Sequence, residues 1–91
     1  MIRWSTEARD DVDRLADFIA AYDLNLAGEV EQELERAPKK LLDFPRRGSR
    51  LSQYDPRKVR EFRVGKYLLR YELAVTDIFV LRFFHAREGR S

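Results

Sequence analysis

Ninety-one residues with no cysteine, one histidine, one tryptophan and three prolines make one small domain with a single, modest core. At 44% apolar and 37% charged residues the composition is globular, and it excludes disulfides, thiolate metal sites and cysteine nucleophiles together. The apolar runs are broken by Asp77 and Arg82 and stay well short of the ~18 residues of a membrane span. Met1-Ile2-Arg3-Trp4 is followed at once by acidic residues and does not read as a secretory leader, so the chain is expected in the cytoplasm.

The net charge of +2 conceals an asymmetry. Residues 1–45 carry six basic and eleven acidic side chains, residues 46–91 twelve basic and five acidic. The second half is therefore expected to face something negative, a nucleic acid or an acidic protein segment, unless the first half merely neutralises it within the fold.

Ile2-Arg3-Trp4 predicts a very short strand, and Ser5 or Thr6 caps the helix after it. Between Glu7 and Tyr22, residues Ala8, Val12, Leu15, Ala16, Ile19 and Tyr22 recur at helical spacing. Glu7, Asp10, Asp11 and Asp13 suit the positive end of that helix's dipole. Asp23 or Asn25 starts a second stripe of Leu26, Ala27, Val30, Leu34, Ala37 and Leu41, with a kink or break expected at Pro38 and helix resuming through Leu42. Phe44-Pro45-Arg46-Arg47-Gly48 ends the helical hairpin. Residues 49–58 then read as a long polar loop.

The remainder predicts three strands, 59–64, 67–74 and 78–84. Gly65-Lys66 as a two-residue turn sets Val64 opposite Tyr67, Phe62 opposite Leu69 and Glu61 opposite Arg70. Phe62, Val64, Tyr67, Leu69, Tyr71 and Leu73 then share the face that packs on the helices. A three-residue loop, Val75-Thr76-Asp77, puts Phe79, Leu81 and Phe83 on that same face, and Val80, Arg82 and Phe84 on the other. The expected fold is α+β, in the order β-α-α-β-β-β. A two-helix hairpin packs on one face of a small, twisted, mainly antiparallel four-stranded sheet, in one domain spanning residues 1–91. Trp4 is expected in the core.

That register makes Arg70 and Arg82 direct cross-strand neighbours, an arrangement that like-charge repulsion disfavours. The open face presents Glu61, Arg63, Arg70 and Arg82, with His85 and Arg87 at its rim. Arginine forks suit phosphates or carboxylates, and a carboxylate with an imidazole can act as base and acid. The same residues also fit a plain cross-strand ion pair and a histidine that only packs. No glycine-rich phosphate loop and no nucleophile triad is present, and one histidine without cysteine makes no ordinary zinc site. No metal and no cofactor is expected.

Four segments carry a family resemblance: Ala8-x-x-Asp11-x-x-x-Leu15, Phe44-Pro45-x-x-Gly48, Arg60-Glu61-Phe62-x-Val64-Gly65-x-Tyr67, and Ile78-x-Val80-Leu81-x-x-x-His85-Ala86-Arg87. In that order and spacing they resemble the RelE/ParE superfamily, toxins of bacterial type II toxin–antitoxin systems. The resemblance implies a growth-inhibiting toxin in a hetero-oligomer with a cognate antitoxin, whose flexible C-terminal segment wraps it; the charge map fits an acidic segment there. Two modes of action follow from it. A ParE-like toxin binds DNA gyrase and stalls it without being a nuclease, and Arg63, Arg70, Arg82 and Arg87 then bind target or antitoxin. A RelE-like toxin is an endoribonuclease that cleaves mRNA on the ribosome, and Glu61, Arg70, Arg82 and His85 are then its catalytic set. The close His85-Ala86-Arg87-Glu88, with no tyrosine beyond Tyr71, is more similar to the ParE side. A relative that serves only as an antitoxin-bound repressor subunit is the third possibility.

Overall fold

The computed structural model describes residues 1–88. Strand β1 (Ile2–Trp4) leads into helices α1 (Thr6–Ala20) and α2 (Leu24–Arg36), and a 3-10 helix covers Ala37–Leu41. Strand β2 (Ser49–Arg50) and a 3-10 turn at Ser52–Tyr54 precede β3 (Val59–Val64), β4 (Tyr67–Leu73) and β5 (Ile78–His85). The sheet runs β1-β5-β4-β3-β2, antiparallel except where β1 lies parallel to β5.

Ser5 caps α1 by accepting the Ala8 N–H, and Asp23 caps α2 by accepting that of Leu26. Pro38 enters the first turn of the 3-10 helix, where its missing N–H costs nothing: α2 breaks at Arg36, as expected near this proline, and the helical character that follows is 3-10 and runs to Leu41. The stripes Ala8, Val12, Leu15, Ile19 and Ala27, Val30, Leu34 pack with Val64, Tyr67, Leu69, Tyr71, Val80 and Phe83 into one core. Each fully buried Leu or Phe there contributes about 1.5–3 kcal/mol. Tyr22 lies past the end of α1 and is exposed, and Leu26 is partly so. Trp4 is half-buried, its ring tilted against Phe83 at 5.3 Å between centroids, with the Arg9 guanidinium also over it at 5.3 Å.

The sheet has five strands where four were expected. Ser49 and Arg50 lie within the expected loop but pair with Glu61 and Arg60. Two exposed residues without apolar alternation give no strand signal. What holds them is a clamp on Tyr71, whose hydroxyl donates to the Pro45 carbonyl at 2.7 Å and accepts the Gly48 N–H at 2.9 Å. Burial pushes that hydroxyl above its ordinary pKa of 10, so it stays a donor. The Arg60 guanidinium adds a hydrogen bond to the Gly48 carbonyl at 2.6 Å. A Cβ at Gly48 would stand 2.7 Å from the Glu61 carbonyl oxygen, which is why the segment needs glycine there.

The hairpin register around Gly65-Lys66 is the expected one, with Gly65 at φ 58°. The β4–β5 connection differs. Leu73 pairs with Ile78, so the loop has four residues, and Ile78 and Val80 point inward while Phe79 is exposed. A β-bulge at Leu81 then supplies the odd residue within the strand, returning Phe83 to the core and setting Arg82 opposite Arg70. Leu81 and Phe79 are therefore not the inward pair that the three-residue loop required.

Tyr71→Phe should cost about 1–3 kcal/mol, because it leaves the buried Gly48 N–H and Pro45 carbonyl without their partner. Gly48→Ala should cost at least as much, through a backbone clash. Urea midpoints at unchanged m-value check both; wild-type midpoints would show that the clamp is not a stability element.

Candidate functional site

Strand β1 covers only Ile78, Phe79 and Val80 of β5. Beyond Val80 that edge of β5 has no neighbouring strand, and side chains take the strand's place. The Ser5 hydroxyl donates to the Leu81 carbonyl at 2.8 Å, the Phe83 N–H donates to Asp11 Oδ2 at 2.9 Å, and the His85 N–H donates to Glu88 Oε1 at 2.8 Å. One element thus aligns α1, the bulge and the C-terminal turn.

Asp11 is 4% exposed. It receives Arg82 through Nε at 2.7 Å and Nη2 at 3.0 Å, with Arg14 Nη2 at 3.4 Å. Burial pushes its carboxyl up, but the hydrogen bonds from Arg82 and from the Phe83 backbone outweigh that and hold it below the ordinary 3.8. The bond to Asp11 in turn holds Arg82 above its usual range. Arg14 also grips Glu88 at 2.5 Å, tying the turn His85–Glu88 to α1.

On the open face Arg70 is nearly buried. It donates to Glu61 Oε2 through Nη2 at 2.9 Å and Nε at 3.2 Å, and to the Tyr54 hydroxyl through Nη1 at 3.0 Å. The Phe84 ring lies beneath both guanidiniums, 4.9 Å from Arg70 and 5.0 Å from Arg82. The expected Arg70–Arg82 neighbours are thus present, with a separate carboxylate for each and one aromatic ring between them.

Of the expected site residues, Glu61, Arg70 and Arg82 converge. Arg63 is exposed and donates to the Gly65 carbonyl at 2.9 Å. His85 pairs with Tyr67, on the helix side of the sheet, and stands edge-on to that ring at 5.4 Å. Its Nδ1 accepts the Arg87 N–H at 3.0 Å. It lies three residues along β5 from Arg82 and two strands from Glu61, ~10 Å in each direction and on the opposite face. Arg87 is exposed on the turn beyond. Among the described residues no cluster of three His, Asp or Glu side chains is placed to hold a metal ion.

Sequence reasoning placed Asp11 with the acids at the helix start and Phe84 on the open face, and counted neither them nor Tyr54 among the site residues. Asp11 carried a signal: it sits three residues after Ala8 and four before Leu15, on the apolar stripe, where an acid must find a partner. Tyr54 carried none, since only the loop's fold brings it to Arg70.

The family of ParE toxins of type II toxin–antitoxin (parDE) systems matches residues 2–89, and the chain belongs to it. No curated protein sequence matches. Among solved structures, a chain of a chromosomal ParDE toxin–antitoxin system from P. aeruginosa superposes with a TM-score of 0.77 at 18% identity, over 92% of each chain. At that identity the likeness is one of fold.

Asp11→Asn should cost about 2 kcal/mol at neutral pH, since the amide cannot satisfy Arg82 and the Phe83 N–H as the carboxylate does. Because the folded-state pKa of Asp11 lies below 3.8, its ionisation stabilises the fold above that value, and the contribution is lost as pH falls through the depressed value. Urea titrations from pH 7 to pH 2 should show the wild-type advantage over Asp11→Asn shrinking toward pH 2. A constant gap would mean that charge at Asp11 is not what stabilises.

Proposed function

We propose that this ParE-family toxin arrests growth by binding and stalling DNA gyrase, and that it is no nuclease. The observation that supports this reading is the distribution of its acid–base groups. Glu61 is held by Arg70, Asp11 is held by Arg82, and the histidine lies on the other face with its Nδ1 engaged. Proton transfer to and from one phosphodiester needs a base and an acid within hydrogen-bond reach of the same group. This arrangement offers rigid shape and charge instead.

Neutralisation falls to a cognate antitoxin in a hetero-oligomer. The end of the helical hairpin suits an apolar contact: Phe18 and Tyr22 stand edge-to-face at 6.3 Å, and both they and Leu24 are largely exposed. A patch of that kind on a monomer marks a protein contact. Arg63 and Arg87, exposed and without carboxylate partners among the described residues, suit the acidic part of the same segment or the target. No helix among the described residues is long and apolar enough to cross a membrane, and the proposed site of action is the cytoplasm.

Expression without the antitoxin in a growing bacterium is the test. Loss of newly labelled DNA within minutes, with intact mRNA and with full arrest retained in His85→Gln, is the expected result. Early cleavage of ribosome-bound mRNA that His85→Gln abolishes would establish the RelE-like alternative. Arg82→Ala is the poorer probe, because it strips the buried Asp11 of its main partner and tests the fold together with the face.

A further inference from the structure

Residues 46–63 carry seven basic and two acidic side chains, the densest positive stretch of the chain. Both acids are already engaged, Asp55 with Arg50 and Glu61 with Arg70. Much of that charge lines an open cleft of about 1400 Å³ at the β2 end of the sheet, bounded by Arg46 and Arg47 from the segment after the 3-10 helix and by Arg57 and Lys58 ahead of β3. Arg57 is bound to Glu72, but Arg46, Arg47 and Lys58 have no carboxylate partner among the described residues. Asp43 is the one lining carboxylate likewise without a partner. The same cleft exposes apolar surface, with Phe44 67% and Val75 fully accessible.

We infer that this cleft binds a single-stranded nucleic acid, with Arg46, Arg47 and Lys58 on successive phosphates and a base against Phe44. Surplus positive charge beside an exposed aromatic ring is the pairing that single strands use, because every base has a π-face and every nucleotide a phosphate. A duplex keeps its bases stacked and offers Phe44 nothing. Neither Arg70 nor Arg82 lines the cleft; both carry their own carboxylates, and the inference stands apart from the gyrase reading.

A fluorescein-labelled deoxythymidine 12-mer titrated with the full chain tests it by anisotropy. Three neutralised phosphates at ~0.7 counterions each give a slope near −2 in log K against log salt, hence about a 20-fold loss of affinity between 50 and 200 mM. The Arg46→Ser, Arg47→Ser, Lys58→Ser variant should bind at least tenfold more weakly, and Phe44→Ala about fivefold or more, both with a wild-type circular dichroism spectrum. Absence of binding by the folded wild type, or unchanged binding by these variants, would overturn the inference. Equal affinity for a 12-residue polyglutamate would overturn it too, since the cleft would then be a docking site for acidic peptide.

Discussion

The carboxylate of Asp11 replaces a strand. With β1 only three residues long, β5 loses its neighbour after Val80, and a bare edge beside the core would leave backbone donors without partners. Helix α1 crosses that edge and offers the Phe83 N–H a charged acceptor in place of a backbone carbonyl. The burial of Asp11 is tolerable only because two guanidiniums share it, Arg82 on the face side and Arg14 on the helix side. Arg14 then reaches Glu88, and Glu88 reaches the His85 N–H, so the C-terminal turn hangs from the same network. The helix, the bulge and the tail hold one arrangement through a single acid.

The same network removes the penalty from the arginine pair. Two guanidiniums in mid-sheet would repel, yet each has a carboxylate on its far side: Glu61 from β3 for Arg70, Asp11 from α1 for Arg82. Phe84 accepts the inner faces of both. Arg70 is consequently a structural element whose side chain is 10% exposed, while Arg82 keeps 42% exposure and presents its outer edge. The charge most available to partners lies on Arg63 and Arg87 and on the arginines around the β2 end.

The sequence made the helices and the β3–β4 register legible because periodicity and one glycine turn each admitted a single solution. The β4–β5 register was legible only in its outcome. Ile78, Phe79, Val80 and Leu81 are all apolar, so alternation cannot say which one is the odd residue. Requiring Arg82 outside and Phe83 inside gave the right pairing, with the extra residue placed in the loop when it sits in the strand. Strand β2 was illegible because its stability comes from Tyr71, 21 residues beyond Arg50, acting on Pro45 and Gly48. Asp11 was hidden among four acids near the helix start, of which only Glu7 lies in the first turn, where the dipole acts.

Strand parity also decides which polar side chains share a face. Glu61, Arg70 and Arg82 lie at matched positions across three strands, so the bulge brings them to one face. His85 is an odd number of residues beyond Arg82, and no second bulge intervenes, so it must face the other way, against Tyr67. A single extra residue in β5 after Arg82 would bring the imidazole to the arginine face; without it, the imidazole packs on Tyr67 and accepts the Arg87 N–H. On this fold, then, one residue of register decides whether the imidazole shares a face with Glu61, Arg70 and Arg82, and in this chain it does not.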